Sequence, residues 1–399
     1  MPDDLYLDAE ETARQLQISV TSVYAYVSRG LIRSQKIPAS KKRVYWRADV
    51  DRLRMADHMP AGSEEMPANL VDSTKITLLT KQGHYYRGRS ALELARTETL
   101  EDIAALLWQV DKETVFRDEL PRVPSEALRP RDRADSIWQR TMKLLFAIEQ
   151  ADPRAYNLTR DGYCRSGADA LRCVAAACLD ATEVSARPIH DVICDTLATG
   201  DRFREIVRTY LVLAADHELD PTTYSVRAAA NTGVTPYAAI AAGLLSSSGR
   251  RLVFGQTGSV SRFFDELDEA ADPTLPLMSR LRSGEVIPGF ASAAYPDGDP
   301  RAAMLLEMLR ETCGNDRDFV RLESAIATVH DATGSRPSLV IPALFLERKL
   351  GMKTDQTTLL RVARVVGWIA HAIEQYYESP LVRPHAAYSG TLPEPLAPS

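Results

Sequence analysis

One short segment, GFASAAYPDGDPRA at residues 289–302, combines a side chain that could bind an anion with residues that carry no acid–base chemistry. Arg301 near its end has a planar guanidinium, which pairs with carboxylates through two parallel hydrogen bonds. Its first half offers only Ser292 among alanines, and an unactivated serine does not exchange a proton near neutral pH. The segment therefore raises the question of why a side chain that could bind a carboxylate stands beside residues that cannot move a proton.

Three other features of the sequence could take part in metal, phosphate or thiol chemistry, but each supports it only weakly. His217 stands in an Asp-His-Glu run, but no second histidine follows four residues later, so a metal site is not indicated. Residues 255–258 (GQTG) could cradle a phosphate, although a single G-x-x-G is more typical of a turn. The five cysteines are an odd number without a C-x-x-C pair, which favours buried free thiols over disulfides or zinc.

Length and composition describe an ordinary globular protein. The chain has 399 residues, enough for more than one domain, with 45% hydrophobic and 26% charged residues. The acidic N-terminus lacks the features of an export signal, and no apolar stretch approaches the roughly 18 residues that span a bilayer. A cytoplasmic protein that does not enter membranes is expected.

Positive charge is concentrated near the front of the chain. The formal net charge is −6, yet residues 29–54 contain nine Lys or Arg and only two Asp. Apolar spacing predicts a helix in LDAEETARQL and a second in VTSVYAYVSRG, with Ser19 as its N-cap and Gly30 at its end. Two short strands around a Pro-Ala-Ser-Lys turn and a closing helix in RADVDRLRM should follow.

That order resembles the winged helix-turn-helix of the MerR or excisionase type. The resemblance implies a DNA-binding domain at residues 1–56, with side chains near the groove or on phosphates at Thr21, Ser22, Tyr24, Tyr26, Arg29, Lys41, Lys42 and Arg43. A small helical docking module with a solvated basic face is the alternative. Residues 57–73 are expected to be a linker, and residues 391–399 a disordered tail.

The rest of the chain, residues 74–390, has the spacing of helices rather than strands. Apolar residues recur every three or four positions in several segments, among them TLEDIAALLW, TPYAAIAAGLLSS, RAAMLLEMLRETC and TLLRVARVVGWIAHAIEQYY. The segment FREIVRTYLVLAADHEL has the same spacing, so His217 is expected on a helix. Many of these segments are apolar almost all round, which favours helices inside a large bundle.

Several ordered blocks of this region resemble the citrate synthase family. They are ITLLTKQGHYYRGRSALELARTETLEDIAALLW, LVLAADHEL, YAAIAAGLL, GFASAAYPDGDPRA, ARVVGWIAHAIEQ and VRPHAAYSG. The resemblance implies a mainly α fold with a large and a small subdomain, an obligate homodimer, and a site in the cleft between subdomains. It also implies that an acyl-CoA is enolised and condensed with oxaloacetate.

The carboxylate-binding residues of the family have counterparts here. Its S/A-D-H-E block gives His217, its D-P-R gives Arg301, and its A/G-R-x-V-G-W gives Arg364. The first arginine of its R-P-R gives Arg383, which the resemblance places in the partner subunit's site, while the last is His385 here. Four basic groups around a multiply charged anion agree with the strength of charge-assisted hydrogen bonds.

The catalytic residues of the family do not have counterparts. Where it has H-G after a short turn, this chain has Phe254; where it has G-F-G-H-R-V-Y, Ser292 stands at the histidine and Ala293 at the following arginine. Val340 stands at the aspartate of P-N-V-D-F-Y-S. None of these residues can serve as an acid or base, so no catalytic position is intact, and CoA binding is in doubt.

Two main functions follow as hypotheses. The first is a homodimeric transcriptional regulator that binds DNA and a di- or tricarboxylate such as oxaloacetate or citrate, with little or no catalysis and no cofactor or metal. The alternative is an active citrate or 2-methylcitrate synthase with an accessory N-terminal domain. A third hypothesis is a mixed dimer with an active citrate synthase paralogue, to which this chain contributes Arg383.

Overall fold

The computed structural model describes residues 6–37, 40, 42–47, 49–51, 53, 73–124, 126–128, 136–249, 253–290, 292, 294–352, 357–383 and 390–391, with the backbone alone at 253–256. The chain divides into two compact units, residues 1–68 with 383–399, and residues 69–382. The predicted linker and tail lie almost entirely outside the described residues.

The first unit combines two short helices with a small sheet. Helix α1 spans Ala9–Gln15 and α2 spans Val20–Ser28. Strands β1 (Tyr6–Leu7), β2 (Ser34–Lys36) and β3 (Arg43–Trp46) form an antiparallel sheet in the order β1-β3-β2. Their core contains Leu7, Ala13, Leu16, Val23, Ile32, Tyr45 and Val50.

Local sequence signals explain the ends of both helices. The Ser19 side chain accepts from the Ser22 amide at 3.1 Å, which confirms it as the N-cap of α2. Gly30 follows α2 with a φ of +73°, a conformation that glycine adopts without strain. The described residues between 47 and 53 are helical, as expected for the start of the closing helix.

The second unit opens with a hairpin and continues as helices. Strands β4 (Thr77–Thr80), β5 (Gly83–Tyr86) and β6 (Arg89–Ser90) pair antiparallel in sequence order. The helices that follow are α3 (Ala91–Thr97), α4 (Leu100–Trp108), α5 (Lys112–Val115), α6 (Ile137–Ala151), α7 (Arg160–Cys178), α8 (Ile189–Thr196), α9 (Arg204–Ala214), α10 (Pro221–Ala230), α11 (Pro236–Ser247), α12 (Val253–Glu269), α13 (Thr274–Arg282), α14 (Pro300–Cys313), α15 (Arg317–Thr333), α16 (Val340–Lys349) and α17 (Thr358–Ile373). The described fold is mainly α, as predicted.

Helix α17 forms the centre of this unit. Every one of its residues is buried, and it packs against α4, α7, α9, α10 and α11. It continues into one π-helical turn at Glu374–Glu378, a feature often found at functional sites. Because α17 carries Arg364, the packing of five helices fixes the position of that arginine.

Two local predictions were wrong. Helix α9 ends at Ala214, so His217 lies in a turn and not on a helix; Glu218 has a φ of +58°, and its amide donates to the Asp216 side chain at 3.2 Å. The carboxylate of Asp216 thus closes the turn where apolar spacing alone would continue the helix. Residues 255–258 are part of α12, and therefore do not form a phosphate-binding turn.

Three further findings concern absences within the described part of the chain. No helix there is long and apolar enough to cross a membrane. The same residues contain no group of three or more His, Cys, Asp or Glu that could hold a metal ion. All five cysteines are buried and free, and burial raises the pKa of Cys173 above its usual range.

Candidate carboxylate-binding site

Asp216 organises the turn that follows α9. It has no solvent exposure, and its carboxylate accepts from Thr77 Oγ1 at 2.6 Å and from Arg364 Nη1 at 3.0 Å, with His371 Nε2 at 3.3 Å. Burial alone would raise the pKa of Asp216, but the electrostatic interactions with His371 and then Arg364, together with the hydrogen bonds from His371 and Thr77, hold it well below its ordinary value. Asp216 is therefore a carboxylate that neutralises Arg364.

Gly367 lets this turn approach α17 closely. Its amide donates to the Ala215 carbonyl at 3.0 Å. A Cβ atom at Gly367 would lie 2.2 Å from Asp216 Oδ1 and 2.6 Å from the Ala215 carbonyl oxygen. No other residue type fits this contact, which explains why a glycine stands in the R-V-V-G-W segment.

Arg364 is held by three oxygen atoms and is only 2% exposed. Besides the Asp216 contact, its Nη2 donates to Asp220 Oδ2 at 3.1 Å and to Thr223 Oγ1 at 2.6 Å. Its Nε has no hydrogen-bond partner among the described residues. Three of the five N–H donors of this guanidinium are thus used, and the Nε–H and one Nη1–H remain.

Arg301 is positioned by the start of α14. Asp299 is the N-cap of that helix, and its carboxylate binds the Arg301 guanidinium bidentately, at 3.0 Å from Nε and 2.8 Å from Nη2. Asp299 also accepts from the Leu339 amide at 3.1 Å. Burial opposes ionisation of Asp299, but Arg301 lowers its pKa, so the pair is an ion pair at neutral pH.

The charges of both arginines act on His217. Its Nε2 is 2.9 Å from Tyr295 Oη, and the Arg301 guanidinium lies 5.2 Å from the centre of the Tyr295 ring. Burial, followed by the charges of Arg301 and Arg364, holds the pKa of His217 well below its ordinary value. The imidazole is consequently neutral at physiological pH, and both arginines act on it.

The structure thus brings together three of the four predicted binding residues, His217, Arg301 and Arg364, within the second unit. Arg383 belongs to the first unit and is exposed, and its predicted role in a partner subunit stays a prediction.

Ser292, Val340 and Phe254 are the residues predicted to stand at the family's catalytic positions. Ser292 lines a cavity of about 270 Å³ together with Tyr295, Asp299 and residues 333–337. Val340 is the first residue of α16 and is 6% exposed. Phe254 lies in α12, where its side chain is outside the described part, and Ala293 is also outside it.

The predicted DNA-contacting residues lie on the first unit. Thr21, Tyr24, Arg29, Lys42 and Arg43 are exposed there. Ser22 bonds to Ser19, and Tyr26 packs against the small core, so both are less accessible than predicted. Lys41 lies outside the described residues.

Sequence reasoning missed the partners of the basic residues. Asp299 stands two positions before its partner Arg301 in the D-P-R segment, a spacing that could have indicated the pair. Asp216 precedes His217 in the A-D-H-E segment, but its arginine partner, Arg364, is distant in the sequence, so no local spacing indicated that pair. Tyr295 also lies in a segment that was already singled out. His84 had no such signal, because it stands in an ordinary strand.

Known proteins resemble this chain in sequence and in fold. A family model described as "Citrate synthase, C-terminal domain" matches residues 65–385. The chain belongs to the citrate synthase family. A citrate synthase from Haloferax volcanii is 33% identical over 45% of this chain and 48% of its own length. A 2-methylcitrate synthase from Mycobacterium tuberculosis is 26% identical over 84% of this chain and 92% of its own.

The first of these relatives, and several others like it, match only about half of their own length. Among solved structures, citrate synthase from Thermotoga maritima has a TM-score of 0.66 at 20% identity, over 82% of this chain and 96% of that one. A Thermoplasma acidophilum citrate synthase, in ternary complex with carboxymethyl coenzyme A and oxaloacetate, has a TM-score of 0.68 at 21% identity with the same coverage. The citrate synthase fold is confirmed.

Proposed function

We propose that this chain binds a di- or tricarboxylate such as oxaloacetate or citrate at His217, Arg301 and Arg364. The observation that carries the proposal is that two arginines, 8% and 2% exposed, lie around one neutral histidine. Guanidinium groups bind carboxylates with defined geometry, and each hydrogen bond to a charged group contributes about 1.5–3 kcal/mol. Asp299 and Asp216 compensate the charges of the two buried arginines.

Calorimetric titration of oxaloacetate and citrate tests the binding proposal. Arg364→Ala should weaken binding by roughly 1.5–3 kcal/mol, because it removes a charged donor and leaves Asp216 with one partner fewer. Arg310→Ala, at a half-exposed arginine of α14 that bonds to Glu307 and Glu323, should have no effect. Equal affinities of wild type and Arg364→Ala would remove Arg364 from the site.

The relatives favour an enzymatic role for such a site. Those named above are citrate or 2-methylcitrate synthases, which supports condensation of an acyl-CoA with oxaloacetate. The residues at the three catalytic positions favour the opposite, since positioned acids and bases each contribute about 10²–10⁴-fold to rate. We therefore propose a family member that binds the carboxylate and has little or no turnover.

A second candidate function, transcriptional regulation, is favoured by the first unit. Its two capped helices, its small sheet and its exposed Arg29, Lys42 and Arg43 suit a DNA-binding module. A homodimer would present two such modules, and Arg383 of each subunit could complete the other's site. If ligand and DNA bind to one coupled system, each must change the affinity of the other by the same factor.

Thiol release from acetyl-CoA and propionyl-CoA separates the enzyme from the binding protein. The assay compares purified protein with and without oxaloacetate, so that its own five cysteines are subtracted. We expect no oxaloacetate-dependent release above that control. Turnover in the ordinary enzyme range, about 1–10³ per second, would establish the synthase and overturn our proposal of little or no catalysis.

A mixed dimer with an active synthase paralogue is a further proposal, in which this chain contributes Arg383. Co-purification with a synthase whose activity falls in an Arg383→Ala variant would support it. A purely homodimeric protein with the same activity in that variant would contradict it.

A further inference from the structure

The main chain of Val382 is held by a single side chain. The Val382 amide donates to Asn231 Oδ1 at 2.9 Å, and Asn231 Nδ2 donates to the Val382 carbonyl oxygen at 2.9 Å. Since a main-chain amide only donates and a carbonyl only accepts, this pair of bonds fixes the orientation of the Asn231 amide. Val382 is 4% exposed and lies where the chain has no regular secondary structure, so Asn231 replaces the partners that a helix or strand would supply.

Asn231 is itself part of a buried network. It directly follows α10, and its Oδ1 also accepts a long contact, at 3.5 Å, from Gln375 Nε2. Gln375 accepts from Arg227 Nε at 3.0 Å, and Arg227, 1% exposed, bonds to Glu374 at 2.6 Å and to His371. The support of Val382 is therefore the end of a set of buried polar groups and not a surface contact.

The other end of this network is an arginine of the proposed carboxylate site. His371 Nε2 lies 3.3 Å from Asp216 Oδ2, and Asp216 is the buried counter-ion of Arg364. The groups that hold Arg364 and those that hold the main chain of Val382 are thus connected by hydrogen bonds.

Arg383, the next residue in the chain, is in the opposite situation. Its side chain is exposed and makes no hydrogen bond or ion pair with the described residues. An arginine on a loose segment loses conformational freedom when it binds a ligand, and this loss weakens binding. Bonds that fix the preceding residue remove part of that cost in advance.

We propose that Asn231 is a positioning residue for Arg383: by holding Val382, it prepares the Arg383 guanidinium to bind a carboxylate group of the ligand. This inference rests on the proposed carboxylate binding and on the proposed contribution of Arg383 to the site of a partner subunit. It makes ligand affinity depend on a residue that does not touch the ligand.

Calorimetric titration of oxaloacetate and citrate into the full chain tests the proposal. In Asn231→Ala both ligands should bind about 3- to 10-fold more weakly, because the segment that carries Arg383 must then be ordered on binding. Asn231→Ser, whose side chain is too short to bond to both groups of Val382, should show the same loss. Thr232→Ala is the matched control, since it removes a hydrogen bond to the Ala229 carbonyl at the same end of α10, and it should bind as the wild type does.

A second pair of variants separates positioning from general support of the fold. Arg383→Ala should weaken binding by about 10- to 100-fold, as for a lost hydrogen bond to a charged group. In that background Asn231→Ala should cause no further loss, because no guanidinium remains to be positioned. If Asn231 instead acted through α10, which carries the Thr223 hydroxyl that binds Arg364, the loss would be the same in both backgrounds.

The outcomes distinguish this inference from the function on which it rests. Equal losses in the two backgrounds, or no loss in Asn231→Ala, overturn the positioning role while carboxylate binding stands. Unchanged affinity in Arg383→Ala overturns both the positioning role and the proposed role of Arg383. If Asn231→Ala does not fold, Asn231→Ser decides by the same comparison. Failure of the wild type to bind either ligand overturns the proposed function as well.

Discussion

Asp216 shows how a single acidic residue allows an arginine of the proposed site to stay charged although it is buried. A buried arginine without a counter-ion is strongly unfavourable, and Arg364 has two acidic neighbours of different burial, Asp216 at 0% and Asp220 at 34% side-chain exposure. His371 extends the network, because its Nδ1 lies 3.1 Å from Arg227 Nη1. Since a guanidinium only donates hydrogen bonds, Nδ1 of His371 must accept one. Nε2 of the same ring therefore donates a hydrogen bond to Asp216.

The two aspartates therefore provide a matched pair of variants. Asp216→Asn should lower the free energy of unfolding by about 3–5 kcal/mol, because it leaves Arg364 buried beside a neutral amide. Asp220→Asn should cost about 1 kcal/mol or less, since this side chain is partly solvated and asparagine also serves as an N-cap of α10. Urea unfolding of both variants measures the difference. Equal losses would contradict the view that Asp216 is the principal counter-ion.

The site could be predicted from the sequence only in part. His217, Arg301 and Arg364 stand in short segments that mark them, and the structure brings them together. Asp299 stood in the same segment as Arg301 but was not weighed as its partner, whereas Asp216 neutralises Arg364 from a different segment. His84 and Thr77 reach the site through the pairing of β4 with β5 and the packing of α9, which are contacts between distant parts of the chain that no local pattern encodes.

At the scale of elements, helix ends were easier to predict where a side chain caps them. Ser19 and Thr99 each accept from an amide three residues later, and α2 and α4 begin directly after them. The end of α9 was harder, because apolar spacing continues past it. That end depends on the local turn that the Asp216 side chain closes and on the close approach of Gly367, which is a tertiary contact.

Glu347 couples α16 to the start of α17. It is fully buried, and its carboxylate accepts from the Thr358 amide at 3.0 Å and the Leu359 amide at 2.9 Å. Burial raises its pKa to about 8, against hydrogen bonds from the two amides that favour the charged form. Near neutral pH the folded protein thus holds a proton here that the unfolded chain releases.

That difference predicts how stability depends on pH. Between the unfolded pKa, about 4.5, and the folded value, about 8, the folded state binds more protons than the unfolded state at this group, so stability falls as pH rises. The contribution amounts to at most about 1.4 kcal/mol per pH unit. In Glu347→Gln this pH-dependent part of the unfolding free energy should disappear. Urea unfolding at about pH 5.5, 6.5 and 7.5, roughly one unit apart within that window, measures it. A wild-type slope that persists in the variant would assign it to other groups.

At the scale of the molecule, charge is divided between the two units. The whole chain has a net charge of −6, while residues 29–54 carry nine basic and two acidic residues. Some of that basic charge is used internally, since Arg33 binds Asp49 through Nε at 2.9 Å and Nη2 at 3.0 Å. Lys42 and Arg43 are exposed on and beside β3, where phosphates could approach them.

If this basic face binds DNA, its salt dependence must report the number of phosphates contacted. Each neutralised phosphate adds about 0.9 to the slope of log K against log salt, so the double variant Lys42→Ala, Arg43→Ala should lower the slope by about 2. A short random-sequence duplex and fluorescence anisotropy at several salt concentrations measure it. Arg282→Ala, at an exposed arginine of α13 in the second unit, should leave the slope unchanged. A slope that stays the same in the double variant, or falls equally in the control, would contradict DNA binding by this basic face. Such a result would mean that the second unit or the general charge of the protein governs DNA contact. Carboxylate binding would then remain the principal proposed function of the chain.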